Sequence, residues 1–137
     1  MKAVALDAEA VNLLAERRDR PSLRKVQAAL AAAYEERSRV VVAAAALAEP
    51  YRGGGWDQRL DSVLARQRGI EVVATDRPLA RVVGRLLASA GLGSEHHVDA
   101  TVVAACLTVG GGLVLTSDPD DLGRLAASAP TVVVDTI

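Results

Sequence analysis

Short apolar runs alternate along the chain with longer stretches of helical period. "AVAL" (Ala3–Leu6), "RVVVA" (Arg39–Ala43), "IEVVA" (70–74), "GLVLT" (Gly112–Thr116) and "TVVVDT" (131–136) read as strands. They are near-continuously apolar rather than strictly alternating, the pattern of a sheet covered on both faces. Between them the spacing predicts helices over 8–17, 21–36, 44–52, 57–67, 77–89, 98–109 and 119–127. The second opens on Pro-Ser. "RGGGW" and "SAGLGSEHH" read as loops within the domain. Strand–helix alternation of this kind predicts one α/β domain with a parallel, doubly wound sheet of about five strands.

In such a sheet, ligands bind beyond the carboxyl ends of the strands, where strand order reverses, and the N-termini of the returning helices lie at that same edge. Asp7 follows the first strand, Asp118 follows the fourth, and Asp99 opens the helix of "DATVVAACL". Glu49 sits in the otherwise apolar "VVVAAAALAEPY". An acid there is costly unless it reaches solvent or a partner. Asp7 and Asp99 also suit a turn and a helix cap. "LTSDPDDL" has the same double reading: Ser117 or Asp118 can cap, Pro119 suits a first helical position, and Asp120 and Asp121 suit the positive end of the helix dipole. Four acids aimed at one edge, however, raise one another's pKa unless a cation neutralises them. A hard divalent ion, Mg²⁺ or Mn²⁺, meets that need.

Composition narrows the alternatives. The 137 residues are half hydrophobic but only 2% aromatic, with no Phe, so the core must be Ala, Val and Leu. A chain of this size suits one domain that buries about two-thirds of its unfolded surface. Sixteen basic against seventeen acidic residues leave a net charge of −1, against a protein that simply coats nucleic acid. Arg17, Arg18, Arg20, Arg24, Lys25 and Arg52 offer a basic rim around an acidic pocket, and Arg52 stands beside the Glu49 motif. The single Cys106, among apolar neighbours, reads as a buried thiol and fits a reducing cytosol. The N-terminal "MKAVALDAEAV" does not read as a signal peptide, and no apolar run reaches membrane-spanning length. His96 and His97 lack zinc-site spacing and read as the loop into the Asp99 helix. The glycine runs 53–55 and 110–112 lack a phosphate-loop fingerprint.

"ALDAEAV", "LAEPYRGG", "VDATVVAA" and "LTSDPDDL", in this order over essentially the whole chain, resemble the PIN-domain ribonucleases, and among them the VapC-type toxins of toxin–antitoxin pairs. The resemblance implies a single-domain, three-layer PIN fold over residues 1–137 and a metal-dependent endoribonuclease leaving a 5′-phosphate and a 3′-hydroxyl. It places the family's acidic quartet on Asp7, Glu49, Asp99 and Asp118, with Asp7, Asp99 and Asp118 on Mg²⁺ or Mn²⁺. Asp121 matches a further acid of some members and Ser117 a supporting hydroxyl. Arg52 is the candidate RNA contact. A VapB-type antitoxin, an RNA substrate, a homodimer and a cytoplasmic location follow. "VNLLA" (11–15) and "VQAALAAAY" (26–34) are candidate antitoxin grooves or, equally, core-facing stripes. Pro50 departs from the pattern because it disfavours helix at Glu49. Glu9 departs too and reads as first-turn and solvent-facing. Two rivals remain. A catalytically weak PIN-like module that only pairs with an antitoxin predicts a broken quartet, and all four acids are present. A receiver-type domain wants a Lys after the last strand, and "TVVVDTI" has none.

Overall fold

The computed structural model describes residues 2–67 and 69–137, so Met1, where the N-terminal reading begins, and Arg68 lie outside it. In chain order the elements are β1 (Ala3–Leu6), α1 (Ala8–Glu16), α2 (Pro21–Glu35), β2 (Arg39–Ala43), α3 (Ala44–Leu47), α4 (Gly54–Arg66), β3 (Ile70–Val73) and α5 (Arg77–Ala90). A 3₁₀ turn (Ser94–His96), α6 (His97–Thr108), β4 (Gly112–Thr116), α7 (Pro119–Ala126) and β5 (Val132–Thr136) complete the chain. All five strands are parallel, in the order β3-β2-β1-β4-β5. The chain runs outward from β1 to β2 and β3, then crosses back to β4 and β5, so strand order reverses between β1 and β4.

Side chains alternate between two packed layers. Val4, Leu6, Val40, Val42 and Leu115 face α1, α2 and α4 on one side. Ala5, Val41, Ala43 and Val114 face α5, α6 and α7 on the other. The small residues of this second face let α6 lie close to the sheet. Every residue from Ala100 to Cys106 is buried, so this stretch of α6 is enclosed all round by sheet and neighbours. The three-layer parallel α/β fold expected from the pattern is the fold observed.

Two expectations fail locally. The helix predicted over 44–52 stops at Leu47 and continues as turns through Pro50. Pro50 accounts for this by keeping Glu49 from extending the helix. The next helix begins at Gly54 rather than 57, drawing two glycines of "RGGGW" into its first turn. Asp57 secures that start, because its carboxylate accepts from the backbone N–H groups of Arg52 and Gly53, both at 2.8 Å. The two stripes proposed as grooves pack inward: Val11, Leu13, Leu14, Ala15, Val26, Leu30 and Ala33 are all buried. Cys106 is buried as expected, and burial pushes its thiol pKa up to about 11.

Candidate metal centre

The reversal between β1 and β4 leaves a crevice at their carboxyl ends, and Asp7 is its fixed point. One carboxylate oxygen caps α1 by accepting from the Ala10 N–H at 2.9 Å. The other accepts from the Ser117 N–H at 3.3 Å, on the turn after β4. The turn reading of Asp7 is therefore incomplete, since its side chain caps α1 and also ties the β1–α1 turn to the β4–α7 turn. Thr116 is fully buried beneath it, bonded to Asp7 and accepting from the Asp118 N–H at 2.9 Å. Burial raises the Asp7 pKa, and donors from Ala10, Thr116 and Ser117 only partly offset that rise.

Asp99 is the third residue of α6 rather than its N-cap, which is His96, and this helix start carries no side-chain cap. Burial raises the Asp99 pKa first, followed by the charges of Asp118, Asp121 and Glu49, while His96 lowers it. Asp118 occupies the N-cap position of α7, yet its carboxylate makes no capping bond either. Without a capping bond, both side chains can face other charges. Glu49 lies exposed on the turn after α3, so its charge stays in solvent at the crevice rim.

Asp7, Glu49, Asp99 and Asp118 line one cavity of about 390 Å³, together with Arg52, Ser117 and Thr116. Glu9, read from sequence as solvent-facing, is half-buried and lines it too, as does Asn12. Asn12 is five residues beyond Asp7, but its spacing carried no signal that would single it out. The Arg52 guanidinium is held by the carbonyls of Ala48, at 3.2 Å, and Tyr51, at 2.6 Å. The remaining basic candidates are elsewhere. Arg20 pairs with Glu16 at 3.4 Å, Arg24 with Asp19, and Lys25 with Asp135 at 3.2 Å. Arg17, at the far end of α1, lines a different cavity with Arg59 and Arg66.

A second grouping overlaps the first. His96, Asp99 and Asp121 each present one potential ligand atom, all within 4.8 Å of one another. Sequence reasoning passed over His96 because adjacent histidines share no helix face. The usable signal was the three-residue step from His96 to Asp99, which brings side chains together at a helix start. The donor set fits a divalent cation: burial and the neighbouring acids push the Asp99 pKa up, and a cation relieves such crowding. Asp120 is exposed and outside both groupings.

The three layers, the 3-2-1-4-5 parallel sheet and the acidic crevice at its switch point define a PIN-like α/β fold. Among solved structures, the chain is similar to a chain in the crystal structure of VapBC2 from Rickettsia felis bound to a DNA fragment from their promoter. The likeness covers 100% of this chain and 99% of that one, with a TM-score of 0.64 and 14% sequence identity. No family model matches the chain, and no curated protein matches it. Among the described residues, no helix is long and apolar enough to cross a membrane.

Proposed function

We propose that the chain is a divalent-metal-dependent endoribonuclease and the toxin of a toxin–antitoxin pair. The observation that carries this reading is the convergence of four acids, from four separate segments, on one cavity at the switch point of the sheet. Asp7, Asp99 and Asp118 would hold Mg²⁺ or Mn²⁺ directly or through water. When bound, such an ion supplies Lewis acidity, neutralising charge on phosphate oxygens and acidifying water.

The chain's own residues do the rest. Asp7 is held by backbone donors on two turns, so its carboxylate is oriented before any ligand arrives. Glu49 on its solvent-facing turn would orient the attacking water and take its proton. Arg52, on the cavity wall, would meet a phosphate of the RNA, with Ser117 and Asp121 supporting the acids. No side-chain nucleophile is needed, and the lone thiol is buried away from the cavity.

The VapBC2 complex to which the fold is similar supports a VapB-type antitoxin as partner. A toxin homodimer and a cytoplasmic site of action belong to the same proposal. The test is cleavage of structured RNA by purified protein with Mg²⁺ or Mn²⁺, with the product ends identified. We expect 5′-phosphate and 3′-hydroxyl ends and no cleavage in excess EDTA. Undiminished cleavage in EDTA would refute the metal mechanism. No cleavage with either ion would leave the pairing module as the better account.

A further inference from the structure

We propose that His96 Nδ1 is a ligand of this centre, beside Asp99 and Asp121, and that the centre therefore selects a first-row transition cation over Mg²⁺. The inference rests on the metal-dependent reading above and names the ion class that reading leaves open.

The 3₁₀ turn Ser94–His96 runs directly into α6, so His96 stands at the N-cap position of the helix that carries Asp99. The imidazole is about three-quarters buried, with Nδ1 3.8 Å from the Asp121 carboxylate and Nε2 3.9 Å from that of Glu95. Neither separation is a hydrogen bond. The ring is thus held among acids without being bonded to any of them. Opposite ligands on an octahedral ion stand about 4.2 Å apart, and the His96, Asp99 and Asp121 atoms lie within 4.8 Å of one another. Small side-chain rotations bring them onto one ion. Asp99 belongs to this group and to the larger cavity, so an ion held here is part of the same centre.

The mixed donor set decides the ion. Mg²⁺ takes oxygen ligands and parts reluctantly with its waters, whereas imidazole suits later first-row ions, whose affinities rise through Co²⁺ and Ni²⁺. A plain ion pair between a protonated His96 and the acids would have no such selectivity.

The test is calorimetric titration of the purified chain with Co²⁺ and with Mg²⁺, alongside the visible absorption of the Co²⁺ complex. The variants are His96→Asn and, as control, the exposed neighbour His97→Asn. Asparagine suits an N-cap, so the fold is retained, and a thermal melt checks this. We expect wild type and His97→Asn to bind Co²⁺ at least tenfold more tightly than Mg²⁺. His96→Asn should lose tenfold or more in Co²⁺ affinity, with a changed absorption band and Mg²⁺ affinity within threefold. Equal Co²⁺ affinity and an unchanged band in His96→Asn would overturn the proposal, as would an equal loss in His97→Asn. Selective Co²⁺ binding without RNA cleavage would leave the ligand standing and remove the ribonuclease reading instead.

Discussion

Replacing Asp99 with asparagine should stabilise the metal-free protein and weaken its response to metal, two effects that no capping role produces together. An Asp99 carboxylate oxygen lies within 4.8 Å of one on Asp121. Two unit charges at that distance repel by about 1 kcal/mol at water-like screening and by about 3 kcal/mol at an effective dielectric of 20. Asp99 is only half-buried, so the lower figure is the safer one. Against it stands the favourable interaction of an acid with the α6 N-terminus, about 0.3–1 kcal/mol. Asp121 alone would nearly balance that loss. Asp118 and Glu49 act on Asp99 with the same sign as Asp121, which tips the balance. The expected net gain is about 1 kcal/mol, or roughly 4 °C in melting temperature for a domain of this size.

With metal the order reverses. A cation at one hundred times its Kd stabilises the wild type by about 2.7 kcal/mol. A variant that binds ten- to a hundredfold more weakly gains only about 0.4–1.4 kcal/mol at the same concentration. The assay is paired thermal melts in EDTA and in Mn²⁺, with RNA cleavage measured beside them. Cleavage should fall by orders of magnitude while the fold persists. An Asp99→Asn protein that melts below wild type in EDTA would refute the electrostatic argument. One that also cleaves RNA normally would return Asp99 to a helix-start role.

Two further perturbations probe the site and its frame. Asp7 and Asp99 both have raised pKa values, so the folded chain holds protons more tightly than the unfolded one. Their contribution to stability is therefore favourable at low pH and is lost as pH rises through the raised values. In EDTA, the melting temperature of wild type relative to Asp7→Asn should fall as pH rises above about 4, the unperturbed Asp value; a difference that stays flat or rises would contradict the burial of Asp7. Gly112→Ala should cost about 3 kcal/mol or more in urea unfolding. Gly112 sits at φ +149°, and an added Cβ would meet the Ala3 carbonyl oxygen at 2.1 Å and its nitrogen at 2.7 Å, both backbone atoms of the adjacent strand. A loss below about 1 kcal/mol would mean that the β1–β4 pair separates more easily than its packing implies.

The layered fold was legible because its determinants are local and repeated. The β-rich runs are mostly apolar, and each helix carries an apolar stripe or, in α6, a continuous buried run from Ala100 to Cys106, so fold class follows from pattern alone. Boundaries were lost where one residue overrides the pattern. Pro50 ends a helix that the alanines would continue, and Asp57 starts another among glycines that read as loop. Both misses surround Glu49, the acid whose aim was least readable. It reaches the cavity from a turn, whose direction no periodicity encodes.

The acids themselves divide along the same line. Asp7, Asp99 and Asp118 were readable because each is pinned to a strand end or helix start, and topology sends all such points in this sheet to one edge. What topology does not carry is side-chain company. That Asp7 is bonded to the turn after β4, that Thr116 lies buried beneath it and that His96 faces Asp121 depend on atoms more than twenty residues apart in sequence. Asp7, read as a turn residue, caps its helix, whereas the capping reading is empty for Asp118, at the N-cap of α7, and for Asp99, at the third position of α6. A carboxylate that caps nothing while its neighbours repel it loses stability in the free protein, and a cation is what returns it. The two uncapped acids are therefore the positions where metal-free stability and metal affinity should move in opposite directions on neutralisation. At Asp7, where the carboxylate is also a cap, replacement by alanine should forfeit about 1 kcal/mol of helix capping as well.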